Sequence, residues 1–80
     1  MIDSKHPDLE PWTHGGTVVA EGWNKEDQCL IVVVRFSYTC VTYTILRAWK
    51  STVRGGLCVS QDHNNLSADD ALAKLAEALA

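Results

Sequence analysis

Gln28-Cys29-Leu30-Ile31-Val32-Val33-Val34-Arg35-Phe36 is the stretch that decides the fold. A strand wet on one face alternates apolar and polar residues, and this one does not. A nearly continuous β-branched run is the pattern of a central strand with both faces covered, and Arg35 is its first clear break. Upstream, Thr17–Trp23 reads as a short strand, joined to the central one by the polar four-residue connection Asn24-Lys25-Glu26-Asp27, a suitable hairpin loop. Downstream, Val41, Tyr43 and Ile45 fall on one face, with Trp49 in phase, while Thr42 and Thr44 fall on the other. Leu46 shares the phase of the threonines, so that second face is not uniformly polar. Gly55-Gly56 marks a turn before Leu57-Cys58-Val59-Ser60, read as a short last strand, and Gln61–Asn65 reads as a polar connection.

A helix follows. Ser67 is a good N-cap, Asp69 and Asp70 lie where negative charge suits the helix dipole, and Leu72, Leu75 and Leu79 form a stripe at helical spacing. Alone, such a helix is marginal, so it needs the sheet to cover. At the other end, residues 1–16 carry Pro7 and Pro11 and close on Gly15-Gly16, which predicts an extended or looped arm, pinned by Leu9 and Trp12. The fold class is therefore α+β: an antiparallel sheet of about four strands with one C-terminal helix on one face. One domain spans 1–80, divided into an extended arm over 1–16, the sheet over 17–60 and the helix over 67–80. The expected core joins Val32, Val34, Val41, Tyr43, Ile45, Leu72, Leu75 and Leu79, with Leu46, Trp23 and Ile31 left to the outward face.

Composition narrows the function classes. The chain has 80 residues, of which 46% are hydrophobic and 21% charged, so most of it has the composition of a folded domain. A net charge of −3 argues against whole-surface attraction to nucleic acid or anionic lipid. No run reaches the ~18 apolar residues of a membrane span, and the polar, acidic start lacks a signal core. The expectation is a small soluble cytoplasmic protein. Cys29, Cys40 and Cys58 are an odd count, spread apart, which predicts reduced thiols.

Chemistry-bearing patterns are sparse. His6, His14, His63 and the cysteines show no Cys-x-x-Cys or His-x-x-x-His spacing, so neither metal nor cofactor is expected. Cys58, Asp62 and His63 name a Cys–His–Asp set, but a strand cysteine and a loop histidine rarely meet the geometry that activates a thiol, and no enzymatic role is expected. The glycine pairs lack the residues of a phosphate loop. Charge distribution says more. Arg47, Lys50 and Arg54 are three bases without an acid, beside Trp49, in an otherwise acidic chain. Bases beside an aromatic can grip phosphate and stack on a base, which supplies the alternative reading of a small nucleic-acid-binding module. They serve a protein interface equally well.

In size, acidity and layout the whole chain resembles the anti-CRISPR proteins that phages and prophages encode: one small acidic domain with a few antiparallel strands, few helices and no enzymatic signature. The resemblance implies an inhibitor that binds a host CRISPR surveillance complex, or another host-defence protein, and blocks target DNA binding. It also implies that acidic side chains stand in for DNA phosphates. Asp8, Glu10, Glu21, Glu26 and Asp27, concentrated in the arm and first hairpin, are then the partner-binding candidates, with Trp49. Direct nucleic-acid binding and membrane binding are not expected under this reading. A homodimer is expected, because one helix covers only one face of the sheet.

Overall fold

The computed structural model describes residues 2–53 and 55–79. The central run forms β2 (Cys29–Ser37), flanked by β1 (Thr17–Asn24) and β3 (Val41–Lys50). With β4 (Leu57–Leu66) outside β3, the strands form one antiparallel sheet in chain order, β1 and β4 at its edges. The C-terminal helix, α2 (Ala68–Leu79), crosses one face. It starts at Ser67, whose Oγ accepts from the Asp70 N–H at 3.2 Å, the N-cap bond expected there.

β2 is buried on both faces, and alternation sorts its side chains into two cores. Cys29, Ile31 and Val33 pack with Ile45 and Ala71 on the helix side, joined by Ala20, Tyr43, Leu66, Leu75 and Ala78. Leu30, Val32 and Val34 pack with Leu46 and Ala48 on the other side, where Ile2 and Leu9 cover them. The register, Val33 opposite Ile45 and Val32 opposite Leu46, corrects the expected single core: Val32 and Val34 lie on the face away from the helix. Leu46 and Ile31, expected to face outward, are both fully buried, one in each core. Trp23 is partly buried against the Ile2 side.

The second face is closed by the N-terminal arm, which acts as a strap. It is not extended: Pro7–Leu9 is a 3-10 turn and Glu10–Thr13 a single α-helical turn, α1. Each proline sits in the first turn, where its missing N–H costs nothing and its fixed φ suits the helix. Two stitches hold the strap at opposite edges of the sheet. Ser4 donates to the Glu21 carboxylate through its N–H (3.1 Å) and Oγ (2.7 Å), on β1. Asp8 Oδ2 accepts from the Leu57 N–H at 2.9 Å, at the start of β4. Next to the second stitch, Leu9 is completely buried. The chain then returns to β1 through Gly15, whose φ of +83° favours glycine and whose Cα faces the Tyr38 hydroxyl.

Two further readings are corrected. Gln61–Asn65 is strand, so the sheet ends at Leu66 rather than residue 60. Polar residues suit an exposed edge, and β4 keeps its pairing with β3 by inserting extra residues on either side of His63. In α2 the sheet-facing stripe is Ala71, Leu75 and Ala78, while Leu72 is 60% exposed and Leu79 40%. Alanines at the contact let the helix backbone lie close to the sheet, which leaves Leu72 turned outward and Leu79 at the β1 edge, against Gly22. Val41, another expected core residue, is exposed at the end of β3. Lys74 pairs with Glu77 at 3.6 Å. Among the described residues no helix is long and apolar enough to cross a membrane.

Leu9→Ala should therefore cost about 2–5 kcal/mol, the range for emptying a core site, although Leu9 lies outside every strand and long helix. Val53→Ala, at a 95% exposed side chain on the β3–β4 connection, should stay within about 0.5 kcal/mol of the parent. Urea unfolding followed by tryptophan fluorescence measures both, and a near-neutral Leu9→Ala would show that the strap does not bear on stability.

Candidate functional site

The Lys25–Gln28 connection is held by its own side chains. Asn24 Oδ1 accepts from the Asp27 N–H at 2.9 Å, and Gln28 Nε2 donates to the Lys25 carbonyl at 2.5 Å. Gln28 closes the loop with φ at +53°, a left-handed conformation that a glutamine adopts at some cost. Antiparallel pairing then brings the ends of β1 and β3 together: Trp23 lies opposite Leu30, and Leu30 opposite Ala48. Beside this hairpin end, Ile2, Trp23, Asp27, Gln28, Trp49 and Lys50 line an open cleft of about 530 Å³. That is within the range of sites that take a small ligand or an anchoring side chain. Two indoles, one carboxylate, one ammonium and one amide supply apolar surface with few, fixed polar groups.

Asp27 has a second role. Arg47 donates from Nε to Asp62 Oδ2 at 3.0 Å and from Nη1 to Asp27 Oδ2 at 3.3 Å, so one guanidinium joins the β1–β2 loop, β3 and β4. Ser60 Oγ donates to the other oxygen of Asp62 at 2.8 Å. The hydrogen bond to Asp62 holds the Arg47 pKa above its ordinary value. Behind this group a smaller pocket of about 200 Å³ separates the sheet from α2, lined by Ile45, Arg47, Asp62, His63, Lys74, Glu77 and Ala78. Its two strong bases match its two acids.

Of the residues read as partner-binding, Asp27 and Trp49 meet at the cleft. The others do not gather there. Asp8 and Glu21 are engaged in the strap's stitches at opposite edges, three strand spacings or about 14 Å apart. Glu10 pairs with His14 at 3.7 Å on the exposed α1 turn, and Glu26 is exposed on the hairpin loop. The basic patch is dispersed too. Arg47 is committed to two carboxylates, and Lys50 lies three residues on, in the opposite phase of the strand, at the cleft. Arg54 lies outside the described residues. Trp23, Gln28 and Ile2 are site residues that the sequence did not single out, because only the strand register and the strap's path bring them beside Trp49.

Cys58 and His63 do not meet: they lie opposite Trp49 and Ile45, four β3 residues or about 13 Å apart along the strand. Among the described residues no three His, Cys, Asp or Glu side chains cluster in a way that could hold a metal. The three thiols are free and differ in surroundings. Cys40 is exposed and Cys58 half-buried, whereas burial pushes the Cys29 pKa up, against the opposing pull of Arg47. A thiol-reactive probe at neutral pH should label Cys40 first, Cys58 more slowly and Cys29 only on unfolding. Peptide mapping of the labelled protein reads the order, and early labelling of Cys29 would contradict the described core.

No family model, curated protein or solved structure matches the chain.

Proposed function

We propose that this chain acts by stoichiometric binding to a protein partner, and that the Trp23–Trp49 cleft is where the partner docks. The observation that carries this reading is the cleft itself: two partly exposed tryptophans share a concave site with Asp27, Gln28 and Lys50. Tryptophan in a pocket with a few polar groups at its rim is the composition of an interface hot spot. A loop residue held at positive φ on the same site is consistent with a binding role, since such conformations cluster at ligand-contacting positions.

The partner class follows from the whole-chain likeness in size, acidity and layout: a host CRISPR surveillance complex, whose target-DNA binding the protein would block. The net charge of −3 supports a partner with a basic surface, such as one that normally holds DNA. Glu26 and Asp27, on the loop beside the cleft, are the acids best placed to meet it. Asp8 and Glu21 serve the fold instead. The nucleic-acid alternative loses support, because Arg47 is neutralised by Asp27 and Asp62.

Titration of the protein into purified surveillance complexes, with target-DNA binding as readout, should saturate near one protein per complex. Trp49→Ala should weaken inhibition by at least ~30-fold, the loss of a hot-spot side chain, with unfolding stability nearly unchanged. Inhibition far below equimolar would mean turnover and would overturn the binding reading. An unaffected Trp49→Ala would overturn the site.

A further inference from the structure

The two flanks of α2 differ in character. With Ala71, Leu75 and Ala78 turned to the sheet, helical periodicity places Asp70, Lys74 and Glu77 on one flank and Ala68, Leu72, Ala76 and Leu79 on the other. The charged flank lies over β3 and β4, where Lys74 and Glu77 line the small pocket with Arg47, Asp62 and His63. The uncharged flank overhangs β1. Leu79 sits directly on Gly22, so closely that a Cβ there would lie 2.5 Å from its Cδ1, and Asn24 Nδ2 donates to the Ala78 carbonyl at 2.6 Å. Leu72 and Leu79 remain substantially exposed along this side, and Val19 is exposed where β1 bulges.

The sheet edges differ in the same sense. At β4 the edge is irregular on either side of His63, Asp8 takes up the Leu57 N–H, and Gln61–Asn65 present polar side chains. β1, once past the bulge at Val19, runs in regular register from Ala20 to Asn24 with no strand on its outer side among the described residues. An open edge strand beneath an uncharged, leucine-bearing helix flank leaves both layers of the fold unfinished on one side.

We propose that this side is a two-fold interface with a second copy of the chain, in which β1 pairs antiparallel with the partner's β1 and the uncharged flanks of the two α2 helices meet. The occupant is argued from charge and symmetry. Each copy carries −3, so contact through acidic surface would set like charges together, whereas this flank carries none. An antiparallel pair of identical strands has a two-fold axis, as an isologous dimer requires. With that axis at Gly22, Glu21 faces the partner's Trp23 rather than the partner's Glu21, and Leu79, lying on Gly22, meets the partner's Leu79. The sheet becomes continuous through eight strands, and both layers are extended by the same contact.

Sedimentation equilibrium of the full chain tests this. The parent should sediment at the mass of two chains at micromolar concentration. Leu72→Lys and Ala76→Lys, both at exposed helix positions, should keep the far-UV circular dichroism of the parent and weaken association by at least ~30-fold. Val53→Lys, which adds the same charge on the exposed β3–β4 connection, should leave the dimer intact. So should Trp49→Ala, which keeps this test separate from that of the cleft. A monomeric parent, a dimer that survives both helix variants, or a dimer lost equally in Val53→Lys would overturn the proposal.

Discussion

The structure depends on one constraint: β2 is apolar on both faces, and both must be kept from water. An 80-residue chain has one long helix to spend, and α2 covers only the odd-numbered side of β2, at Cys29, Ile31 and Val33. The even-numbered side is left to a segment with little regular structure. Ile2 and Leu9 provide the apolar contact, and Ser4 and Asp8 fix where it falls by bonding to each edge of the sheet. Small domains bury a modest share of their surface, so each buried leucine weighs heavily. Closing the second face with the eight residues Ile2–Leu9 is what makes a two-cored fold possible at this length.

Much of this was legible in the sequence, for identifiable reasons. The absence of alternation in β2 called for two covered faces, and the mixed phase of Leu46 with Thr42 and Thr44 pointed the same way. Ser67 and the alanine-rich run announced α2. Periodicity misled where two residue sets competed for one helix face. Leu72, Leu75 and Leu79 look like the buried stripe, but alanines at 71 and 78 permit closer approach to the sheet, and backbone proximity decided the rotation. The tail of β4 was hidden because an exposed edge strand needs no apolar pattern; its backbone pairing is invisible to composition. The cleft was half-visible. Trp49 and Asp27 stood out singly, but Trp23 joins them only through strand register.

Charge has a structural job here before any binding role. Counting acids along the chain suggested an acidic arm and hairpin free to meet a partner. Yet Asp8 accepts a strand-edge N–H, Glu21 takes two bonds from Ser4, and Asp27 and Asp62 hold Arg47 between them. Bonds of this kind fix geometry more than they add stability at exposed sites. They cross-link the strap to the strands and β3 to the loop and β4, and so set the shape of the cleft beside them.

The strap also orders events in time. Its stitch at Leu57 joins residues 49 apart, and the strand that receives it is the last of the sheet to be made. During synthesis residues 2–9 leave the ribosome before β3 and β4, yet their docking surface is not assembled until those strands have emerged. A segment made before its docking surface is thus placed after it. Until then the even-numbered face of β2 stands open, which keeps the nascent chain adhesive while β3 and β4 are still being made.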